Sequence, residues 1–294
     1  MILLDGKQVA EKIRGTLKEE CRQMVESGMK PPSLAVVLVG NNPSSETYVR
    51  NKLKACEETG FHSRLIRLPD NVSEQKLMET IDLLNEENET DGFIIQTPLP
   101  PHIREENIII RIQAEKDVDG FHPENLGKMM RGLPALLPAT PKGIVDLLHH
   151  YHIETTGKHC VILGRSLIVG TPLAVLLSRK ANPGNCTVTI LHSQSKNIPE
   201  LTQQADILVA AIGKAHFVTA DMVKDGAVVI DVGTNSIPDN SKKSGYRLTG
   251  DVDFEQVSPK CSYISPVPGG VGPMTIAGLL QNTLQAAKNR RSMK

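Results

Sequence analysis

At 294 residues the chain is long enough for one large or two ordinary domains, and its 33 basic and 33 acidic side chains cancel. A balanced surface has no field to gather nucleic acid or an anionic membrane, so a small-molecule partner is expected. Five scattered cysteines, with no CxxC pair, indicate neither a disulfide framework nor a zinc site; they fit a reducing compartment, with no metal expected.

The start, MILLDGKQVAEKI, has four apolar residues before Asp5, too few for a signal peptide. No run approaches a membrane span, so a cytoplasmic protein is expected. Strand candidates follow at 33–40 (SLAVVLVG), 63–69 (SRLIRLP) and 91–100 (DGFIIQTPLP), separated by the helical patterns SSETYVRNKLKACEETG and SEQKLMETIDLLNEEN. The second half adds 159–164 (HCVILG), 186–192 (CTVTILH), 205–213 (ADILVAAIG) and 227–233 (AVVIDVG), again with helical stretches between. Continuous Val/Ile/Leu runs alternating with helices predict parallel strands buried on both faces. The expected fold is α/β in two domains, an N-terminal catalytic domain and a Rossmann-like parallel-sheet domain. LLPATPKG (136–143) is the boundary candidate, giving 1–140 with 274–294 and 141–273. The last helix is expected to return to the first domain.

On the helix carrying SSETYVRNKLKACEETG, Val49, Leu53 and Cys56 form an apolar stripe, with Arg50, Lys54, Glu57 and Glu58 opposite. Tyr48 and Lys52, four apart, share a face at the stripe's border, with Ser45 one turn before Tyr48. A lysine held near a core has a lowered pKa and can trade protons near neutrality. The alternative is a snorkelling lysine beside a core-edge tyrosine. Gln96 ends the strand in IIQTPLP, and KDVDGFHPEN places Asp117 and Asp119 before a glycine turn. Ligands bind outside the carboxyl ends of such strands. Gln96 offers donor and acceptor, and Asp119 can accept from an amino-heterocycle; an Asx turn and a loop-bracing amide are the competing readings.

HCVILGRSLIVGTPLAVLLS reads strand, glycine turn, helix, with five residues between Gly164 and Gly170. Its N–H groups and helix dipole suit a pyrophosphate, or the stretch is only a tight βα turn. The next strand ends in His192 and Ser193 with no nearby acid, and Arg165 adjoins the first glycine, which favours NADP over NAD. HHYH (149–152) has no carboxylate or cysteine at ligand spacing, which argues against a metal. Finally, PVPGGVGPMT (266–275) packs three glycines and three prolines ahead of a helix. It is either a bent linker or a bare wall that admits a flat ligand.

Together these stretches resemble one family across almost the whole chain, the bifunctional methylenetetrahydrofolate dehydrogenase/methenyltetrahydrofolate cyclohydrolases. YVRNK (48–52) looks like its catalytic helix, and QTPLP, KDVDGFHPENLG, LLPATPKG, GRSLIVGTP, GDVDF and PVPGGVGPMT follow in the family's order. The resemblance implies NADP-dependent oxidation of methylenetetrahydrofolate and hydrolysis of the methenyl product, in the one-carbon metabolism that feeds purine biosynthesis. It implies a homodimer. Lys52 would be essential for hydrolysis, with Gln96 tuning it and Tyr48 stacking along the ligand. Asp119 would hold the pterin, with Ser45, Pro268, Gly269, Gly270 and Thr275 lining the folate. Gly164, Arg165, Ser166, Gly170, Ser193, Gly213 and Thr234 would hold NADP. Two departures stand out: Ala139 replaces a cysteine common in the family, and the SRKANPGN loop is a few residues long. A monofunctional dehydrogenase, a non-catalytic folate- or NADP-binding module, and another two-domain NADP oxidoreductase remain as alternatives.

Overall fold

A computed structural model describes residues 1–239, 241 and 245–292. The chain forms two compact units, Glu11–Ala139 with Ile276–Lys294, and Met1–Ala10 with Thr140–Thr275. It opens with β1 (Ile2–Leu3) and α1 (Gly6–Glu26). β2 (Ser33–Val39), α2 (Pro43–Thr59), β3 (His62–Leu68), α3 (Glu74–Glu86) and β4 (Gly92–Gln96) follow, then α4 (Glu105–Arg111) and α5 (Pro123–Met130). The three strands are parallel in the order β3-β2-β4.

Both faces of β2 and β4 are covered, which is why these strands read as unbroken apolar runs, while the edge strand β3 is mostly exposed. Leu34, Val36, Leu38 and Ile94 pack with Leu17 and Cys21 of α1 and with Val49 and Cys56 of α2. Ala35, Val37, Val39, Phe93 and Ile95 face the other way, onto Leu77, Ile81 and Leu84 of α3. Each fully buried Leu or Ile is worth about 1.5–3 kcal/mol. α2 starts where Asn42 accepts from Ser44 N and Ser45 N with Pro43 in the first turn, and it stops at Gly60 in the left-handed region.

The second unit contains α6 (Ala139–His150), whose first residue belongs to the other unit, then β5 (His159–Leu163), α7 (Gly170–Ser178), β6 (Thr187–Leu191), α8 (Ile198–Thr202), β7 (Ile207–Ala210) and β8 (Val228–Asp231). After these come β9 (Asn235–Pro238), β10 (Tyr246–Thr249), α9 (Phe254–Val257), β11 (Tyr263–Ile264) and α10 (Val271–Ser292). Six strands form a parallel sheet in the order β1-β11-β8-β7-β5-β6. β5 pairs with β6 on one side and β7 on the other, so the strand order reverses there, the place where doubly wound sheets bind ligands.

Three features depart from the sequence reading. Residues 1–10, expected in the first domain, join the second unit because β1 adds to its sheet through Ile2 N→Ser262 O and Leu4 N→Ile264 O, both 2.8 Å. β9 and β10 form an antiparallel hairpin whose side chains are largely exposed, so it carries no apolar run to betray it. β11 is two residues long and gives no periodic signal. α10 behaves as expected: from residue 276 on it belongs to the first unit, where Leu279, Leu280 and Leu284 enter the core.

Candidate active site

The buried positions of α2 are Ser45, Val49, Lys52, Ala55, Cys56 and Thr59, a stripe at three- and four-residue spacing. Lys52 lies inside that stripe, with only 8% of its surface exposed, whereas Tyr48 stays 38% exposed. The two therefore share a face but not an environment. Arg50, Lys54, Glu57 and Glu58 point to solvent as expected. Lys52 Nζ donates to Gln96 Oε1 at 3.0 Å. Gln96 Nε2 in turn donates to Thr97 O at 2.8 Å, which fixes the amide with its oxygen toward the lysine. Burial pushes the Lys52 ammonium below its ordinary pKa, and the charge of Asp119 partly opposes this. Burial likewise raises the Asp119 carboxyl, opposed by Lys52. The helix and the strand tip thus bring Lys52, Gln96 and Asp119 into one electrostatic group.

Asp119 is delivered by a segment running beside β4. Phe93 N donates to Lys116 O at 2.9 Å, and Phe93 bridges Asp117 in parallel fashion. The turn-making role falls to Asp117, which accepts from Gly120 N (3.1 Å), His122 N (2.7 Å) and Asn125 Nδ2 (3.3 Å). Burial lifts its pKa to about 6, against the pull of these bonds. Lys116 is also buried. Its Nζ donates to Leu84 O (2.7 Å) and Glu87 O (2.6 Å) at the end of α3, and burial brings its pKa down to about 8. Asp117 and Lys116 shape the loop under Asp119, a role that neither residue type nor spacing in KDVDGFHPEN reveals.

In the second unit, Gly164 has φ +118°, and a side chain there would collide with Ala211 O. One on Gly170 would collide with Gly164 O. The two glycines therefore permit a tight turn directly into α7, which opens at Gly170. Ser166 Oγ accepts from Val169 N (3.2 Å) and Gly170 N (3.4 Å), capping the helix. Arg165 and Ser166 are exposed, as are Ser193 and Thr234. Gly213 is different: its N–H is already bonded to Asp251 Oδ2 at 3.0 Å. Asp251 is buried within GDVDF, where no local pattern announces this contact.

The stretch 266–275 is explained partly by packing inside its own unit. Gly269 has φ +110°. Gly270 N donates to Pro266 O at 2.8 Å, and Lys7 N at the start of α1 donates to Gly269 O at 2.9 Å. A side chain on Gly270 would press on Pro266 and Ser265, and one on Gly6 would meet Gly270 O. Thr275 Oγ1 lies 2.9 Å from Thr140 Oγ1. The turn and the approach of α1 thus account for the glycine at 270 without a ligand.

Residues 4–119 match the tetrahydrofolate dehydrogenase/cyclohydrolase catalytic domain, and residues 138–291 match the NAD(P)-binding domain of the same family. The Bifunctional protein FolD of Porphyromonas gingivalis is 56% identical over 286 residues, covering 97% of each chain. The crystal structure of a bifunctional FolD from Campylobacter jejuni aligns with a TM-score of 0.91 at 47% identity over 99% of both chains. The Trypanosoma brucei enzyme, solved with NADP cofactor and an inhibitor, aligns at 0.94 and 38% identity, covering 99% of this chain and 98% of its own. On these grounds the chain belongs to the tetrahydrofolate dehydrogenase/cyclohydrolase family.

Proposed function

We propose that this chain carries both activities of its family and that Lys52 is the residue on which the hydrolytic one depends. The first activity oxidises 5,10-methylenetetrahydrofolate to the 5,10-methenyl cation with NADP+; the second hydrolyses that cation to 10-formyltetrahydrofolate. The observation that carries the reading is Lys52 itself, a buried amine hydrogen-bonded to Gln96 Oε1 at 3.0 Å and facing the charge of Asp119.

Bound NADP+ supplies the hydride acceptor. The carbon that loses hydride sits between two nitrogens whose lone pairs share the resulting charge, so the step needs orientation rather than an acid–base pair. Orientation can contribute up to about 7–11 kcal/mol. The tight turn at Gly164 and Gly170, the N-terminus of α7 and the exposed loop bearing Arg165 and Ser166 fit a dinucleotide. The turn takes the pyrophosphate, and Arg165 and Ser193 take the 2′-phosphate; Thr234 and the backbone at Gly213 complete the cofactor contacts.

In hydrolysis, water oxygen bonds to the methenyl carbon while the free amine of Lys52 takes a water proton. The carbon–N5 bond then breaks, N5 receives a proton from the lysine, and the remaining hydroxyl proton leaves as the formyl group forms. A lysine of ordinary pKa would be almost wholly ammonium at neutral pH, so the burial of Lys52 is what makes this cycle available. Gln96 holds the amine in place. Asp119 accepts from the pterin amino group, Tyr48 stacks along the ligand, and Ser45 lies two turns before Lys52 on the buried stripe. Pro268, Gly269, Gly270 and Thr275 are assigned to folate as well, with the main chain of 268–270 as the contact surface. A homodimer, a cytoplasmic location and supply of formyl groups to purine biosynthesis complete the reading.

The test is Lys52→Met. Hydrolysis of methenyltetrahydrofolate should fall by about 10²–10⁴-fold, followed by the decay of methenyl absorbance, while calorimetry shows NADP+ still binding. Hydrolysis at the wild-type rate in a folded variant would refute the lysine's role.

A further inference from the structure

At the carboxyl end of β7 the chain turns through Ile212, Gly213 and Lys214, with Gly213 at φ +67°. Three consecutive N–H groups of such a turn converge and form a concavity that holds an anion. In a nucleotide-binding unit the expected occupant is a phosphate. Here the occupant is a side chain of the same unit. Asp251 Oδ2 accepts from Ile212 N (2.7 Å) and Gly213 N (3.0 Å), and Oδ1 accepts from Lys214 N (2.8 Å) and Asn235 Nδ2 (2.9 Å). Asp251 is fully buried and has no lysine or arginine within ion-pair distance among the described residues, so four neutral donors carry its charge.

Asp251 is itself held from β8. Asp231 Oδ1 accepts from Asp251 N (2.9 Å) and Gly233 N (3.0 Å), and Oδ2 accepts from Val252 N (2.9 Å). Ser265 Oγ accepts from Asp231 N at 2.8 Å. The space is filled to contact: a side chain on Gly250 would collide with the Asp231 carboxylate, and one on Gly233 with that of Asp251. The far end of the network reaches the nucleotide turn, because Ala211 O is the atom that leaves no room for a side chain on Gly164. One chain of contacts thus runs from β8 through two buried carboxylates to the loop packed against Gly164.

We propose that Asp251 is a positioning residue for the nucleotide cofactor: by filling the 212–214 concavity it fixes the loop against the Gly164 turn and withholds those N–H groups from the cofactor. The loop then meets the nucleotide through its carbonyl and Cα edges, and the phosphates go to the Gly164–Gly170 turn. This rests on the reading of that turn as the NADP site.

Two measurements on the full-length protein test it. In Asp251→Asn an amide NH₂ replaces an oxygen that accepts two N–H groups. The NADP+ dissociation constant from calorimetry and the dehydrogenase KM for NADP+ should each rise about tenfold or more. Nucleotide-free hydrolysis of methenyltetrahydrofolate, which depends on Lys52 in the other unit, should stay within about twofold. An NADP+ affinity within about twofold of wild type would overturn the proposal. The second measurement uses wild-type protein and is independent of how the variant folds. Through-hydrogen-bond couplings from the amide nitrogens of 212–214 to the Asp251 carboxyl carbon should persist when NADP+ saturates the protein. Their loss on NADP+ binding would show those donors turning to the cofactor and would also overturn it. Wild-type protein that binds no NADP+ would instead refute the reading of the site.

Discussion

At Lys52 a single helix position decides the chemistry. The 3.6-residue period predicts that it borders the apolar stripe, and the structure sets it within the stripe, which strengthens the burial that lowers its pKa. Gln96 is the neutral partner this state requires. A carboxylate in its place, about 3 Å from Nζ, would stabilise the ammonium and raise the lysine's pKa. Gln96→Glu should therefore shift the acid limb of the hydrolysis pH–rate profile upward and cut the rate at pH 7 by about tenfold or more, since each unit of pKa removes a factor of ten in free amine. An unshifted profile would mean the lysine's protonation state does not govern the step. Lys52 and Gln96 were legible because helix periodicity and a strand end are local signals. The role of Lys116 was not legible, since its partners Leu84 O and Glu87 O lie about 30 residues away in sequence and are backbone atoms. The bond from Gly213 N to Asp251 was hidden for a similar reason, since the carboxylate that accepts it lies 38 residues further along the chain.

Among the elements, legibility followed burial. Strands β2, β4, β5, β7 and β8 are covered on both faces and announce themselves as apolar runs, whereas the hairpin β9–β10 and the short β1 and β11 depend on pairing that no local pattern encodes. The return of α10 to the first unit has a specific anchor. Buried Asn282 donates its amide to Val118 O (2.8 Å) and Leu137 O (2.7 Å), tying the helix to the residue before Asp119. Replacing it by leucine leaves one buried and one half-buried carbonyl without their donor, at about 1–2 kcal/mol each. Asn282→Leu should therefore lower the free energy of urea unfolding by about 2–4 kcal/mol, and it should weaken folate binding more than NADP+ binding because the segment it releases carries Asp119. Equal losses for both ligands would show that α10 supports the fold without setting the Asp119 loop.

Across the whole molecule the 33 basic and 33 acidic side chains cancel, and among the described residues no helix is long and apolar enough to cross a membrane. The chain passes from one compact unit to the other at Ala139–Thr140. What composition could not show is that the second unit stores a pH response in its interior. Burial, with the neighbouring Asp251 charge adding to it, lifts Asp231 to about 7, while the bonds from Val252 N, Asp251 N and Gly233 N resist the rise. A carboxyl raised this far holds its proton in the folded state between its ordinary value and about 7 and has lost it in the unfolded chain. The folded state then binds more protons, so this contribution is complete at acid pH and disappears as pH climbs through about 7, with a slope of at most about 1.4 kcal/mol per pH unit. Surface carboxylates work the other way at lower pH. Glu19, held near 2 by Arg22, and Glu74, held near 2 by Arg104 N, give up stability only below about pH 4.5. Asp231→Asn should be less stable than wild type throughout, because its amide cannot accept all three N–H groups. The gap in unfolding free energy should nevertheless narrow as pH rises from about 5 to about 7.5, measured by urea denaturation followed by circular dichroism. A gap that stays constant or widens over that range would mean Asp231 is ionised throughout, and that the three N–H donors outweigh its burial.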